Sequence, residues 1–267
     1  MDLPLGLSST HLLLAAVALV AGFIDAVAGG GGMLTVPSLM FALPDPRVVL
    51  GTNKGQSVWG TAAATVAFAR AGKLDRVRAP VTFLSAATGS FVGARMVSAL
   101  RPEVLRPVVL VLLVAAAAFV FARSLTSPKR GPDDAREPEA GKAWALASPK
   151  VASALIGLVI GAYDGFFGPG TGTFLIVLFS WWFGDPLDAA TANAKVANLA
   201  SNLAALLAFA YAGKVDLRYA APMAVAQLVG GSLGARATLR GGERVVRIGV
   251  LAVTAALTLR LAVQMLG

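Results

Sequence analysis

The chain has 267 residues, of which 57% are hydrophobic and 14% charged, with no cysteine and one histidine. An ordinary soluble domain carries about 25% charged residues, so this composition and a mean hydropathy of +0.73 indicate an integral membrane protein and exclude disulfides, thiol catalysis and soft-metal sites. The net charge of +9 lies in short loops beside apolar segments, where it reads as a topology signal and does not imply nucleic acid.

The apolar runs are helix-length and do not alternate, which favours an all-α bundle over a lipid-facing barrel. The first runs from Leu12 to Ile24. Ala26-Val27-Ala28 then has the small-x-small form of a signal cleavage site, but the preceding residues carry Asp2 and no Lys or Arg, so the segment is read as retained in the membrane. His11 has no second residue to support a ligand role and is read as an interfacial polar group.

Gly22-Phe23-Ile24-Asp25 leads into Gly29-Gly30-Gly31-Gly32. Four glycines in an apolar context argue that the helix is interrupted there. At membrane depth irregular backbone survives only when buried in protein or lining a cavity. Resumption at Met33-Leu34-Thr35-Val36 would aim free N–H groups and a positive dipole end into the break, a geometry suited to an anion. The alternative is that the glycines serve only close helix packing.

Pro44 to Pro46 ends this segment, and the next helix runs from near Arg47 to Arg70. Lys54 lies roughly 10 Å along it at 1.5 Å per residue, just after Asn53. Ser57 and Thr61 follow on the same face. Farther on, Ala-Gly-Lys-Leu-Asp at 71–75 forms a loop, Gly89 and Gly93 have the spacing of a close helix contact, and an apolar helix from Val104 to Ala122 closes the half. Ser124 to Pro149, rich in proline and mixed charge, reads as a polar linker.

The pattern then repeats. Gly161-Ala162-Tyr163-Asp164, the break Gly168-Pro169-Gly170-Thr171-Gly172 and the resumption at Thr173-Phe174-Leu175-Ile176 match the first half. After Asp185-Pro186, a helix from Leu187 to Tyr211 carries Lys195, Asn198 and Asn202 on one face. Residues 67–75 match 208–216 at seven of nine positions, at an offset of 141 that also places Lys54 on Lys195. A last helix from Arg244 to Leu266 is expected. The domains are therefore a first transmembrane repeat over 1–123, a linker over 124–149 and a second repeat over 150–267.

The expected site follows from these stripes and breaks: Lys54, Lys195, Asn53, Ser57, Thr61, Asn198 and Asn202, with Gly30, Gly31 and Gly32 in the first break and Gly170, Thr171, Gly172 and Thr173 in the second. For the lysines the alternative is snorkelling to the headgroups. Asp25 and Asp164 are either ion-pair partners of the lysines or proton carriers. If each half crosses an odd number of times, the loop near Gly72, the linker and a loop near Gly241 share a side with about 14 Lys and Arg against about 7, which mildly favours inverted repeats with a cytoplasmic linker. The glycine-broken segments are then re-entrant hairpins or pairs of short helices.

These residues resemble the sulfite exporter TauE/SafE family of membrane permeases. The resemblance rests on Gly22-Phe23-Ile24-Asp25, the glycine run, Val36-Pro37, Gly51-Thr52-Asn53-Lys54, the Ala-Gly-Lys-x-Asp loops and the Gly-Ala-Arg helix ends, and it covers both halves outside the linker. The second copy departs from the first, with Pro169 and Thr171 at glycine positions and Ile176 near the position of Pro37. The resemblance implies a multi-pass inner-membrane transporter, in the direction of export, of small sulfur oxyanions such as sulfite, sulfoacetate or thiosulfate. No cofactor, metal or enzymatic role is expected; the partners are a small anionic substrate and the lipid bilayer, and spare glycine-rich faces would suit a homodimer. A permease for a carboxylate and a non-transporting membrane scaffold are the alternatives.

Overall fold

The computed structural model describes residues 9–126 and 148–266, and every regular element among them is a helix. In chain order these are α1 (Ser9–Ala28), α2 (Gly32–Ala42), α3 (Pro46–Arg70), α4 (Ala79–Ala99), α5 (Pro102–Thr126), α6 (Pro149–Phe166), α7 (Thr171–Phe183), α8 (Leu187–Tyr211) and α9 (Leu217–Leu266). The linker expected between the halves lies, over 127–147, outside the described residues.

Local chemistry sets the boundaries. Asp45 accepts from the Arg47 amide at 2.9 Å and Pro46 opens α3, an N-cap followed by the proline that helix starts favour. Helices α3 and α8 end alike: Gly72 and Gly213 take φ of +69° and +65°, and the amides of Lys73 and Lys214 reach back to the carbonyls of Phe68 and Phe209. This is the Schellman pattern that a left-handed glycine permits. A separate last helix expected from Arg244 does not appear, because α9 runs unbroken through Gly241. In the first half Leu100 is extended ahead of Arg101-Pro102 and separates α4 from α5, as a proline disfavours helix at the residue before it. The second half has Gly241-Gly242-Glu243 there and no such stop.

The molecule is apolar outside and polar inside. Leu13, Leu84, Val111, Val159, Leu207 and Val225 are all more than half exposed, whereas Thr52, Lys54, Gln56, Ser90, Asp164, Lys195, Ser201 and Asn202 are buried. Exposed apolar surface on this scale marks a face that meets lipid or protein. Only α1 and α8, among the described residues, are both long and apolar enough to cross a bilayer by composition; α3, of 25 residues, is long enough but turns its polar stripe into the bundle.

Helix α1 packs along the first half of α9, and α4 packs along α6. Gly230 abuts the Leu19 carbonyl and Gly234 that of Phe23, while Gly89 abuts the Leu158 carbonyl and Gly93 that of Ala162. Along α3 and α8 the partners run in opposite order: Gly51 faces Phe209, Gly55 faces Leu206, Thr61 is bonded to Asn202, and Thr65 reaches the Lys195 carbonyl. The two helices therefore pass antiparallel. Two loop bonds match at the 141-residue offset, with the Asp75 amide donating to Asn193 Oδ1 and the Asp216 amide to Thr52 Oγ1, both at 2.9 Å.

Candidate functional site

Both glycine-rich stretches interrupt a helix. In the first, Gly29 and Gly30 have φ of +74° and +89°, a region L side chains rarely occupy. Gly31 lies against the Ala21 carbonyl and Asp25, so the chain doubles back along α1. In the second, Gly168 and Gly170 have φ of +96° and +88°. Tyr163 Oη donates to the Pro169 carbonyl at 2.7 Å, and its ring meets Phe174 at 5.4 Å, so α7 folds back on α6. The breaks touch: a side chain on Gly29 would strike the backbone of Gly172 and Thr173, and Thr173 Oγ1 donates to the Ala28 carbonyl at 3.0 Å.

A small cavity of about 30 Å³ lies where they meet, lined by polar groups of α1, α3, α6, α8 and α9 and by the breaks. Of the residues expected at a site, Asp25, Gly30, Gly32, Asn53, Lys54, Ser57, Asp164, Thr171, Gly172, Asn198 and Asn202 line it. Gly31, Thr61, Gly170, Thr173 and Lys195 do not line it, though Thr61 is bonded to Asn202 and Lys195 to Asp25, which do. Gly168 and Gln227 line the cavity as well and were not anticipated.

Neither lysine is a bare cation. Lys54 Nζ is 2.8 Å from Asp164 Oδ1 and donates to Asn202 Oδ1 at 2.9 Å. Lys195 Nζ is 2.9 Å from Asp25 Oδ2. Each pair joins the two halves, a lysine of one to the aspartate of the other, and the four formal charges cancel. Asn202 donates to Thr61 Oγ1 at 3.2 Å, linking the two polar stripes. Asn53 Oδ1 accepts from Thr35 at 2.6 Å and from Gln56 at 2.9 Å.

The pairs differ in their surroundings. Asp164 also accepts a hydrogen bond from Ser201 Oγ, and its side chain is 5% exposed. Asp25 is 21% exposed and, among the described residues, its side chain is bonded to Lys195 alone. The position matching Ser201 is Gly60, and the position matching Gln227 is Ala86. Among the described residues, two cavity-lining side chains have a buried oxygen with no hydrogen-bond partner, Asn198 Oδ1 and Gln227 Oε1. Repeat comparison conceals Gln227 and Ser201 because their counterparts have no polar side chain, whereas Gly168 could have been found as the counterpart of Gly29. His11, at the start of α1, stacks on Tyr219 at 4.8 Å.

Broken helices that enclose a charged, water-sized cavity inside a bundle with an apolar exterior define a membrane transporter. The family model of the sulfite exporter TauE/SafE matches residues 14–261, and the chain belongs to that family. It is 35% identical over 245 residues to a probable membrane transporter protein, YfcA, of Escherichia coli (strain K12), covering 92% of this chain and 87% of that one. It is 34% identical over 254 residues to the probable membrane transporter protein ORF9 of Sinorhizobium sp, covering 94% and 92%, and 30% identical over 239 residues to a probable membrane transporter protein of Haemophilus influenzae, covering 88% of each. No solved structure matches the chain.

Proposed function

We propose that the protein is a multi-pass inner-membrane transporter, working as an exporter, of small sulfur oxyanions such as sulfite, sulfoacetate or thiosulfate, moved by alternating access of two inverted repeats around the central cavity. The observation that carries this reading is the cavity itself. Two ammonium groups stand at it or just behind it, the first turns of α2 and α7 open onto it, and amide and hydroxyl side chains complete its wall. The amides of Met33, Leu34 and Thr171 already donate to carbonyls of the breaks, so the positive ends of the two helix dipoles, more than free N–H groups, favour an anion here, and charge-assisted bonds to oxyanion oxygens are among the stronger hydrogen bonds. The printed description of the family, a sulfite exporter, points to the same substrate class. The antiparallel course of α3 and α8 supports inversion of the halves, and the reversals at Gly29-Gly30 and Gly168-Gly170 support re-entrant hairpins over short crossings.

At about 30 Å³ the cavity has room for one or two waters, so the state described is closed and substrate entry requires the halves to move apart. The test is calorimetry of the purified protein with sulfite, thiosulfate and sulfoacetate beside acetate and malonate. Saturable binding of a sulfur oxyanion and none of the carboxylates is the expected result. Binding of carboxylates alone would move the substrate class, and heat from neither would sink the anion reading.

A further inference from the structure

We infer that Asp25 and Gln227 form the protein's proton-binding site. Asp164 has two donors in place, Lys54 and Ser201. Asp25 has one, Lys195, and opens onto the cavity. On the wall of the same cavity, Gln227 is 2% exposed and, among the described residues, its Oε1 accepts from nothing. That oxygen lies against Gly22, one helical turn before Asp25, and against Gly60. A buried acceptor without a donor is costly. A carboxylate cannot relieve it, since its oxygens and the Gln227 Oε1 turned to the cavity only accept; a carboxylic acid can. Protonation of Asp25 supplies the missing donor, directly or through one water that the cavity can hold.

The other groups facing Asp25 agree with this assignment. Helix α8 brings Lys195, α3 brings Lys54 and α6 brings Asp164, the last two already joined to each other; α2 and α7 bring glycines and Thr171, and α9 brings Gln227, its only polar group at the cavity among the described residues. In the step itself a proton from water joins an Asp25 carboxylate oxygen, Asp25 becomes neutral, and Lys195 keeps its proton and loses its counter-charge. A buried ammonium without a partner is unfavourable, so protonation of Asp25 and arrival of an anion at Lys195 favour each other reciprocally. This consequence rests on the proposed transport of an oxyanion; the proton site does not.

Infrared difference spectroscopy of the full-length protein in lipid, titrated with acid without and with thiosulfate as the counter-charge for Lys195, reads the site directly. We expect a protonated-carboxyl band that is missing in Asp25→Asn. In Gln227→Leu the band should move to higher frequency, as for an acid that has lost its acceptor, with proton affinity lower on the order of tenfold. A band that survives in Asp25→Asn, or one that Gln227→Leu leaves unmoved, overturns the inference. Thiosulfate, which does not titrate near neutrality, is then the transport probe in proteoliposomes containing a pH dye. If the band behaves as expected and wild type moves no thiosulfate, the proton site stands and the transport reading fails.

Discussion

Lys54 and Lys195 are 2% and 0% exposed, and at that burial a lysine is stable only with a partner. From sequence, alanine at either lysine is expected to remove substrate binding and leave the fold intact. The ion pairs alter that expectation, because Lys54→Ala would leave Asp164 charged and enclosed, at a cost of about 3–5 kcal/mol. Thermal unfolding in detergent should show a large loss for Lys54→Ala and recovery of most of it in Lys54→Met/Asp164→Leu, which keeps the volume and removes both charges. A Lys54→Ala protein as stable as wild type would mean that the pair does not hold the halves together. Arg78, outside the spanning segments, makes a second test. Its Nε meets Asp75 at 2.5 Å, its Nη2 bridges both oxygens of Asp185 at 2.9 Å, and it stacks 4.2 Å from the Phe183 ring. Burial works to raise the Asp75 carboxyl, but the Arg78 and Val77 amides and the Arg78 guanidinium outweigh it and hold Asp75 below its ordinary 3.8. A depressed carboxyl stabilises the fold above the unfolded value and loses that contribution as pH falls through the folded one. Acid unfolding below about pH 4 should therefore be shallower in Arg78→Ala than in wild type. Arg78→Lys, which loses the fork and the stacking, should already be less stable by about 1–3 kcal/mol at neutral pH.

Among the elements, the pairs α1 with α9 and α4 with α6 depend on glycines that let backbones touch, as small residues do in membrane interfaces. A side chain at Gly89 or Gly230 would overlap the carbonyl of Leu158 or Leu19. Leucine at either position should lower stability by at least the 1–3 kcal/mol typical of overpacking. Gly72 is a control of another kind, with nothing within 4 Å of a Cβ but φ at +69°, so Gly72→Ala should cost only the left-handed penalty of about 1–2 kcal/mol. Leucine variants at Gly89 and Gly230 no less stable than Gly72→Ala would mean that the helices part at these contacts at little cost. Much of this was legible in the sequence: the 141-residue offset places α3 and α8 within a residue of their observed starts, and Gly89 and Gly93 announce their contact by spacing. The partners of the lysines were not. Each aspartate sits in the same half as a lysine in the sequence, and only the packing of the halves shows that Asp25 belongs with Lys195 and Asp164 with Lys54. Gln227 was hidden for a related reason, since a lone amide on a helix carries no periodic signal and its counterpart is Ala86.

For the molecule as a whole, the antiparallel passage of α3 beside α8 has a consequence for topology. Two helices that match at a fixed offset and run in opposite directions carry the loops that follow them to opposite ends of the bundle. If the bundle axis lies along the membrane normal, the loop after α3 and the loop after α8 face different compartments. Basic residues suggest which is which: Arg70, Lys73, Arg76 and Arg78 surround the first, and Lys214 and Arg218 the second, so the positive-inside bias predicts that the first faces the cytoplasm. Arg76 and Leu217 correspond at the 141-residue offset, are both exposed and are well placed for a test, and the chain has no cysteine of its own. Arg76→Cys should be protected from a membrane-impermeant maleimide in intact cells and react once the cells are opened, whereas Leu217→Cys should react in intact cells. Labelling of both from the same side would require parallel halves, and a parallel arrangement would leave the exchange of two inverted repeats without a basis.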